Sequence, residues 1–189
     1  MWVLFMFLAC LGSKVATDYS QDTQAVIVED LGPSFEYCEN SPGHHACNFE
    51  TIDETGFPVE LYDFYGAPIV LDLSAVWCGP CNAAAQDVQL MHERFESAGL
   101  IYMTVLIENS QREPPTEEDL LLWKERHGII DPPVLGSSRE LLNNADVTQG
   151  WFLQGWPTFY FLDSDLVIQG YMRGYYEQGL LEGISLIIE

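Results

Sequence analysis

The sequence predicts an α/β fold in which a central mixed β-sheet is flanked by helices. Short, branched apolar runs that suit buried strands alternate with segments whose apolar residues recur at helical spacing. Near the end of the chain, apolar runs at 159–162 and 166–172 flank a turn-forming Asp-Ser-Asp sequence, which predicts an antiparallel hairpin. A length of 189 residues, 48% of them hydrophobic, suits one folded domain with a tail.

The first half of the domain is predicted to hold a hairpin, a strand, a helix and a second strand. Residues 48–61 alternate loosely around a turn and indicate an N-terminal β-hairpin. Residues 69–73 form a branched, mostly apolar run that is typical of a buried strand. A helix is predicted over 78–98, because its apolar residues recur at helical spacing and Gly99 can cap its end. The apolar run 101–107 predicts the next strand.

The second half begins with a clear helix signal. Residues 116–119 form a capping box that opens a helix, and Gly128 ends it. A short strand at 134–135 and a weaker helix at 139–145 come before the hairpin strands. A closing helix is predicted over 178–188.

The chain starts with an apolar segment that suits an export signal. It is too short to span a bilayer as a helix but matches the hydrophobic region of a secretory signal, so residues 1–16 are assigned to a signal. Residues 7–10, Phe-Leu-Ala-Cys, resemble a bacterial lipobox, which makes Cys10 a candidate for lipidation. Simple secretion and an uncleaved anchor are the alternatives. Each of them places the protein outside the cytoplasm: in the bacterial periplasm, on the outer membrane as a lipoprotein, or secreted.

Residues 17–47 are predicted to form an acidic tether that ends in a loop between Cys38 and Cys47, and residues 48–189 form the domain. In an oxidising compartment, two cysteines across a Pro-Gly turn most often form a structural disulfide. Two alternatives stay open: a copper or zinc site that adds a histidine from positions 44–45, and a second redox pair that relays electrons.

The charge is strongly negative, with 7 Lys and Arg against 29 Asp and Glu and a formal net charge of −22. Such a surface repels nucleic acid and anionic lipid headgroups, so neither is expected as a partner. Membrane contact is expected only through a lipid at the N-terminus. High solubility is the favoured interpretation of the charge, and a cationic partner is the alternative.

The most informative residues are Trp77-Cys78-Gly79-Pro80-Cys81, where the buried strand gives way to the helix. Cys78 falls at the helix N-terminus, where unpaired N–H groups and the helix dipole favour a thiolate. Cys81 lies one turn further on the same face, within disulfide reach. Cys78 is therefore the candidate nucleophile and Cys81 the candidate resolving thiol. A structural disulfide and half of a zinc site are the alternatives, but the sequence has no second ligand pair of similar spacing.

Asp72 lies inside the apolar strand that leads to the cysteines. A carboxylate buried without a cation has a raised pKa, so Asp72 could take the proton from Cys81 when that thiol must attack. A structural aspartate bonded to backbone or water is the alternative. The indole of Trp77 offers a flat apolar surface that either packs against substrate or caps the core.

Residues 71–81 resemble the strand-to-helix junction of the thioredoxin superfamily, whose members carry a buried acid at the position of Asp72. Residues 155–159, Gly-Trp-Pro-Thr-Phe, resemble the cis-proline loop that faces the active-site disulfide in that family. Gly174 resembles the family's late glycine beside the site. The likeness covers the chain from about residue 48 onward.

This resemblance implies a thioredoxin-like fold with an N-terminal β-hairpin and a βα insertion before the cis-proline loop. It implies a cis bond before Pro157, with backbone groups of Trp156 and the nearby Gly174 available to bind an extended substrate. It also implies that Gly79 and Pro80 set a reducing potential, as in reducing thioredoxins.

The chain between the active-site helix and the cis-proline loop is longer than a minimal thioredoxin needs, and resembles the extracytoplasmic redoxin branch, which is related to TlpA, ResA and AhpC/TSA-type proteins. Ala84 and Gln86 stand where many TlpA-like proteins have Glu and Pro, which argues against a TlpA-type role in cytochrome maturation.

The predicted function is that of a thiol–disulfide oxidoreductase, preferably a reductase, that exchanges disulfides with extracytoplasmic proteins. The implied partners are protein thiols and disulfides and an electron-donor protein, the chain is expected to be a monomer, and no cofactor or metal is expected beyond the Cys78–Cys81 pair. Two alternatives are a metal-binding lipoprotein without turnover and a thiol peroxidase. Peroxiredoxins resemble each other in a Thr or Ser three positions before the reactive cysteine, where this chain has Ala75.

Overall fold

The computed structural model describes residues 33–142 and 150–188 and confirms the α/β fold with a mixed sheet flanked by helices. Within these residues one sheet is formed by β1 (Glu50–Ile52), β2 (Pro58–Glu60), β3 (Ile69–Ala75), β4 (Ile101–Glu108), β5 (Val134–Gly136), β6 (Thr158–Leu162) and β7 (Ile168–Arg173). The helices are α1 (Gly79–Ala85), α2 (Val88–Phe95), α3 (Glu117–His127) and α4 (Glu177–Ser185), with short 3-10 turns at Leu61–Phe64 and Glu96–Ala98.

The strand order is β2-β1-β5-β4-β3-β6-β7. The strands β3, β4 and β5 are parallel, whereas β6 is antiparallel to β3 and β7 is antiparallel to β6. We call the edge where β3, β4 and β5 finish and β6 begins the cysteine end of the sheet; it is marked by Ala75, Glu108, Gly136 and Thr158. The opposite edge, where the turn at 163–167 joins β6 to β7, is the hairpin end.

β3 lies inside the sheet, between β4 and β6, and its sequence suits a strand that is buried along its whole length. All seven are buried, which is the pattern of a strand covered on both faces. Its alternating side chains separate two cores. Val70 belongs to a cluster formed with all four helices, and Leu71 and Leu73 belong to a second cluster on the other face. That second cluster is covered by segments outside the helices, including Phe49 and Trp151.

The prediction of a single helix over 78–98 is wrong, because the structure has the two helices α1 and α2 and a 3-10 turn in this segment. The N–H groups of Gln86 and Asp87 bond to carbonyls only three residues back, so the α-helical pattern is interrupted there. The Asp87 carboxylate also accepts a hydrogen bond from the Tyr175 hydroxyl, which comes from a distant part of the chain. The segment ends at Gly99 with a φ of 73°, as predicted from its capping position.

The other elements agree closely with the sequence. Thr116 and Asp119 form the predicted capping box of α3, and Gly128 ends that helix with a φ of 65°. The β-hairpin near the N-terminus, the short fifth strand and the hairpin of β6 and β7 are confirmed. Residues 139–142 form turns rather than the start of the predicted weaker helix, whose residues 143–145 lie outside the described residues.

The signal assigned to 1–16, the lipidation site Cys10 and the tether up to residue 32 also lie outside the described residues. The loop between Cys38 and Cys47 is described, and it lies at the hairpin end of the sheet. There the N–H of Ala46 donates to the Leu166 carbonyl, at 2.9 Å. In the described part of the chain, no helix is both long and apolar enough to cross a membrane.

Candidate active site

The first feature of the site is the disulfide between Cys78 and Cys81, at the cysteine end of the sheet. The buried strand β3 carries the chain to this point. Pro80 lies in the first turn of α1, where a backbone N–H has no partner inside the helix, so a proline there costs no hydrogen bond. Cys78 is the N-cap of α1, and its Sγ accepts a hydrogen bond from the Cys81 N–H at 3.1 Å. The two Cα atoms are 5.2 Å apart. The same N–H is therefore placed to stabilise a Cys78 thiolate after reduction.

Asn82 fixes the loop that holds the cysteines, and sequence reasoning did not single it out. Its side-chain Nδ2 donates to the carbonyls of Val76, at 3.0 Å, and Cys78, at 2.8 Å. These bonds span the turn between β3 and α1. Because the loop backbone is anchored at both carbonyls, Cys78 is held in one position relative to the helix start.

Asp72 lies on the same face of β3 as Val70 and Ser74, and Val70 belongs to the core cluster that holds Cys78 and Cys81. It is fully buried; its Oδ1 accepts a hydrogen bond from Ser74 Oγ at 2.6 Å, and its Oδ2 has no partner. Burial raises the pKa of Asp72 to about 7, against the smaller lowering effect of the Ser74 hydrogen bond. The Tyr102 hydroxyl on β4 is also buried without a partner, and burial raises its pKa as well. Near neutral pH Asp72 can therefore either hold or accept a proton.

Trp77 is held by Glu108, which sequence reasoning missed. The indole Nε1 donates to Glu108 Oε2 at 2.8 Å, and Arg139 Nε donates to the other carboxylate oxygen. Glu108 is 2% exposed; burial alone would raise its pKa, but the hydrogen bonds from Arg139 and Trp77 outweigh burial, and the pKa is lowered. The guanidinium of Arg112 lies over the Trp77 ring at 4.5 Å. The one available sequence signal was a carboxylate at the end of an apolar strand run; for Asp72 the signal was a carboxylate inside such a run.

The loop before β6 completes the site. The Trp156–Pro157 bond is cis, as the resemblance implied, and the Gly174 N–H donates to the Pro157 carbonyl at 2.8 Å. The Trp156 ring meets Trp77 edge-to-face, with centroids 5.7 Å apart. Trp77 and Trp156 thus pack against the cluster that holds Cys78 and Cys81. Pro157 directly follows Trp156, and its carbonyl accepts the hydrogen bond from Gly174.

Cys38 and Cys47 do not join this site. They form a disulfide of their own at the hairpin end of the sheet, roughly the length of β3 away, or about 20 Å at 3.3 Å per residue. His45 is stacked on Phe35 with centroids 3.9 Å apart, and its Nδ1 lies 3.1 Å from the Asp165 carbonyl oxygen. Among residues 33–142 and 150–188, no three His, Cys, Asp or Glu side chains gather as a metal-binding group.

Comparison with known proteins agrees with this geometry. The model of the AhpC/TSA family matches residues 42–171. The thiol-disulfide oxidoreductase ResA of Geobacillus kaustophilus is 22% identical over 77% of this chain and 72% of its own length. For ResA of Oceanobacillus iheyensis the identity is also 22%, and this chain spans 52%, about half, of that relative's length. Thioredoxin Asp f 28 of Aspergillus fumigatus is 32% identical over 39% of this chain and 71% of its own.

Solved structures show the same fold. A thiol:disulfide interchange protein of the thioredoxin family from Chlorobium tepidum superimposes with a TM-score of 0.61 at 19% identity, over 77% of this chain and 96% of the other. A secreted thiol-disulfide isomerase from Corynebacterium glutamicum gives a TM-score of 0.60 at 17% identity, over 75% and 84% of the two chains. The fold is therefore thioredoxin-like, with the extra β-hairpin and βα insertion. The chain belongs to the AhpC/TSA family, within the thioredoxin superfamily.

Proposed function

We propose that this protein is a thiol–disulfide oxidoreductase that reduces disulfides in extracytoplasmic proteins through Cys78 and Cys81. One observation carries the proposal: the two cysteines form a disulfide at the start of α1, directly beside the cis-proline loop and two tryptophans. Such a site can hold a client segment and exchange bonds with its sulfur.

The reaction begins from the dithiol form. The Cys78 thiolate attacks one sulfur of a client disulfide, a mixed disulfide forms, and the second client sulfur leaves as a thiolate that takes a proton from solvent. Asp72 then accepts the proton of Cys81, and the Cys81 thiolate attacks Cys78 Sγ. The Cys78–Cys81 bond forms, the first client sulfur leaves and is protonated, and two electrons have passed to the client. An electron-donor protein restores the dithiol.

Several finer points belong to the same proposal. Gly79 and Pro80 between the cysteines support the reducing direction. Secretion, with residues 1–16 as a signal and Cys10 as a lipid anchor, is supported by the apolar start of the sequence, and the Corynebacterium glutamicum neighbour is itself described as secreted. Trp77 and Trp156 supply the apolar wall against which an extended client lies.

A thiol peroxidase is an alternative function, suggested by the chain's membership of the AhpC/TSA family. Ala75 is fully buried in β3 and has no hydroxyl to offer a peroxide. No feature of the described residues favours peroxide over a protein disulfide.

The test replaces each cysteine separately by serine and follows the reduction of insulin, with dithiothreitol as the electron source. Cys78→Ser is expected to lower the catalysed rate at least about a thousandfold, because the nucleophile is lost. Cys81→Ser is expected to trap a covalent complex between Cys78 and the client, visible as a mass shift that dithiothreitol removes.

Two controls separate the alternatives. Hydrogen peroxide consumption should not exceed that of the Cys78→Ser variant; rapid consumption supports the peroxidase. Stoichiometric copper or zinc on the purified protein together with absent insulin reduction supports the metal-binding alternative. If Cys78→Ser reduces insulin as fast as the parent, the proposed function is wrong.

A further inference from the structure

The few basic residues of this acidic protein are unevenly placed. Of the 7 Lys and Arg in the sequence, 6 lie in the described residues, and 3 of these are at the cysteine end of the sheet. These are Arg112, after β4; Arg139, after β5; and Arg173, the last residue of β7. Three different strands thus each lead to one arginine at the same edge.

Two of these arginines lie directly against the loops that carry the tryptophans. The Arg112 guanidinium covers the Trp77 ring at 4.5 Å. Arg173 pairs with Thr158 across the sheet, and its side chain lies against Gly155, immediately before Trp156. A Cβ atom on Gly155 would lie 2.8 Å from Arg173 Nε, so a glycine is needed there for the arginine to lie this close. Both side chains are exposed, and neither forms an ion pair with a described carboxylate.

The third arginine is already engaged. Arg139 forms an ion pair with Glu108, the carboxylate that also accepts the Trp77 indole N–H. Glu108 is therefore neutralised where it is buried. Among the described residues, the guanidiniums of Arg112 and Arg173 lie directly against the tryptophan loops, and Arg139 reaches them only through Glu108. This occurs in a chain whose acidic residues outnumber its basic ones about fourfold.

We propose that Arg112 and Arg173 bind acidic side chains that flank the reacting cysteine of the client, so that the preferred client segment is an acidic polypeptide. This inference rests on the proposed thiol–disulfide exchange and adds its specificity. A client lying extended along Trp156 advances about 3.3 Å per residue, so side chains within two or three positions of its cysteine come within reach of a guanidinium. Arginine suits this task because its planar fork meets a carboxylate with two parallel hydrogen bonds.

The large net negative charge does not oppose this at physiological ionic strength. At about 0.15 M salt the Debye length is about 8 Å, so charges elsewhere on the protein are largely screened from the bound segment. Glu140 and Arg139 line the same cavity as Arg112. In the described part of the chain, Arg112 and Arg173 are then the exposed cations that lie against the tryptophan loops. At about 1 M salt, where the Debye length is about 3 Å, their effect should be lost as well.

The experiment compares three peptides of equal length, each with one cysteine and each supplied as its disulfide-linked dimer. The residues that flank the cysteine are acidic, neutral or basic. Each turnover converts the protein dithiol and one peptide dimer into the protein disulfide and two peptide thiols, so electrons and protons balance. The measured quantity is the second-order rate constant at about 0.15 M salt, as the ratio of acidic to neutral peptide.

The parent protein is expected to prefer the acidic peptide about fivefold, the combined effect of two exposed ion pairs, and to react most slowly with the basic one. The Arg112→Gln/Arg173→Gln variant is expected to bring the ratio to about one, and Arg112→Lys/Arg173→Lys to restore most of it. The matched control is Arg94→Gln/Arg126→Gln. It removes two positive charges from the last turns of α2 and α3 and should leave the ratio unchanged.

The outcomes are distinguishable. Reduction of all three peptides at similar rates overturns this inference and leaves the proposed function standing. A preference that survives in the glutamine variant, or disappears equally in the control, assigns it to other charges and also overturns the inference. Failure to reduce any of the peptides overturns the exchange reaction itself and the inference with it.

Discussion

Two carboxylates on neighbouring strands have opposite properties, although both are almost completely buried. Asp72 has no cation beside it, and burial raises its pKa to about 7. Glu108 receives hydrogen bonds from Arg139 and Trp77, which outweigh burial and lower its pKa. One group can therefore exchange a proton near neutral pH, while the other keeps its charge and holds a ring in place.

Replacing Asp72 by Asn tests the role of the carboxylate. We expect the release of the mixed disulfide to slow by about a hundredfold, because Cys81 loses its base. In the parent, this step should speed up as the pH rises through about 7 and Asp72 loses its proton, and Asp72→Asn should lack this inflection. Stopped-flow measurement of client release across pH 5–9 gives the profile. Thr104→Val, which changes the cross-strand neighbour of Asp72, should keep the inflection.

The Asp72→Asn variant also tests the direction in which Asp72 makes the unfolding free energy depend on pH. Between pH 4 and 7 the folded protein holds the Asp72 proton while the unfolded chain, whose aspartate has an ordinary pKa near 3.8, does not. The parent therefore loses up to a few kcal/mol of unfolding free energy over this window, and the loss stops above pH 7. Urea titrations should show Asp72→Asn gaining on the parent as the pH rises. Parallel curves for the two proteins would mean that Asp72 is already ionised in the folded state at pH 5.

At the scale of single elements, local signals predicted α3 well and the first helix poorly. Both ends of α3 are encoded within a few residues, by the capping box at Thr116 and by Gly128. The interruption between α1 and α2 has no such local signal. Asp87 instead accepts a hydrogen bond from Tyr175, which is 88 positions away in the sequence.

The closing helix α4 offers a second element-scale test. Gly183 is buried, and a Cβ there would overlap the ring of Phe161 on β6. Gly183→Ala is expected to lower the unfolding free energy by about 1–3 kcal/mol, because α4 must move away from the sheet. The matched control is Gly170→Ala on β7, where the nearest side-chain atom is 3.7 Å away, in Leu186. Equal urea midpoints for the two variants would show that α4 packs less tightly than described.

In the candidate site, too, some residues could be identified from neighbouring sequence, whereas others meet only through contacts between distant parts of the chain. The cysteines and Asp72 could be identified because their spacing lies within one strand-to-helix junction. The partners of Trp77 could not, since Glu108 and Arg139 are 31 residues apart and meet only when β4 and β5 pair. Side-chain contacts across a sheet depend on strand order, which the periodicity of a single sequence does not specify.

At the scale of the whole molecule, the two disulfides lie at opposite ends of one sheet, and this predicts that they act independently. Replacing Cys38 and Cys47 together by serine should lower the unfolding free energy by about 2–3 kcal/mol, the value expected for a cross-link that spans nine positions. Insulin reduction should change less than about twofold. Chemical denaturation and the insulin assay measure the two effects on the same sample.

An opposite result would revive an alternative raised by the sequence. If the double variant stays folded but loses turnover, Cys38 and Cys47 relay electrons. The parallel variant Cys78→Ser provides the contrast, since it should lose turnover while its thermal unfolding still reports an intact Cys38–Cys47 cross-link.

The attachment of residues 33–47 to the hairpin end has a practical consequence for protein engineering. Gly43 and Ala46 donate backbone hydrogen bonds to Ile168 and Leu166, and Ala46 is fully buried in the second core. A trimmed version that starts at residue 48 would bare this apolar surface and invite self-association. For surface display or fusion to a reporter, the join therefore belongs before residue 33.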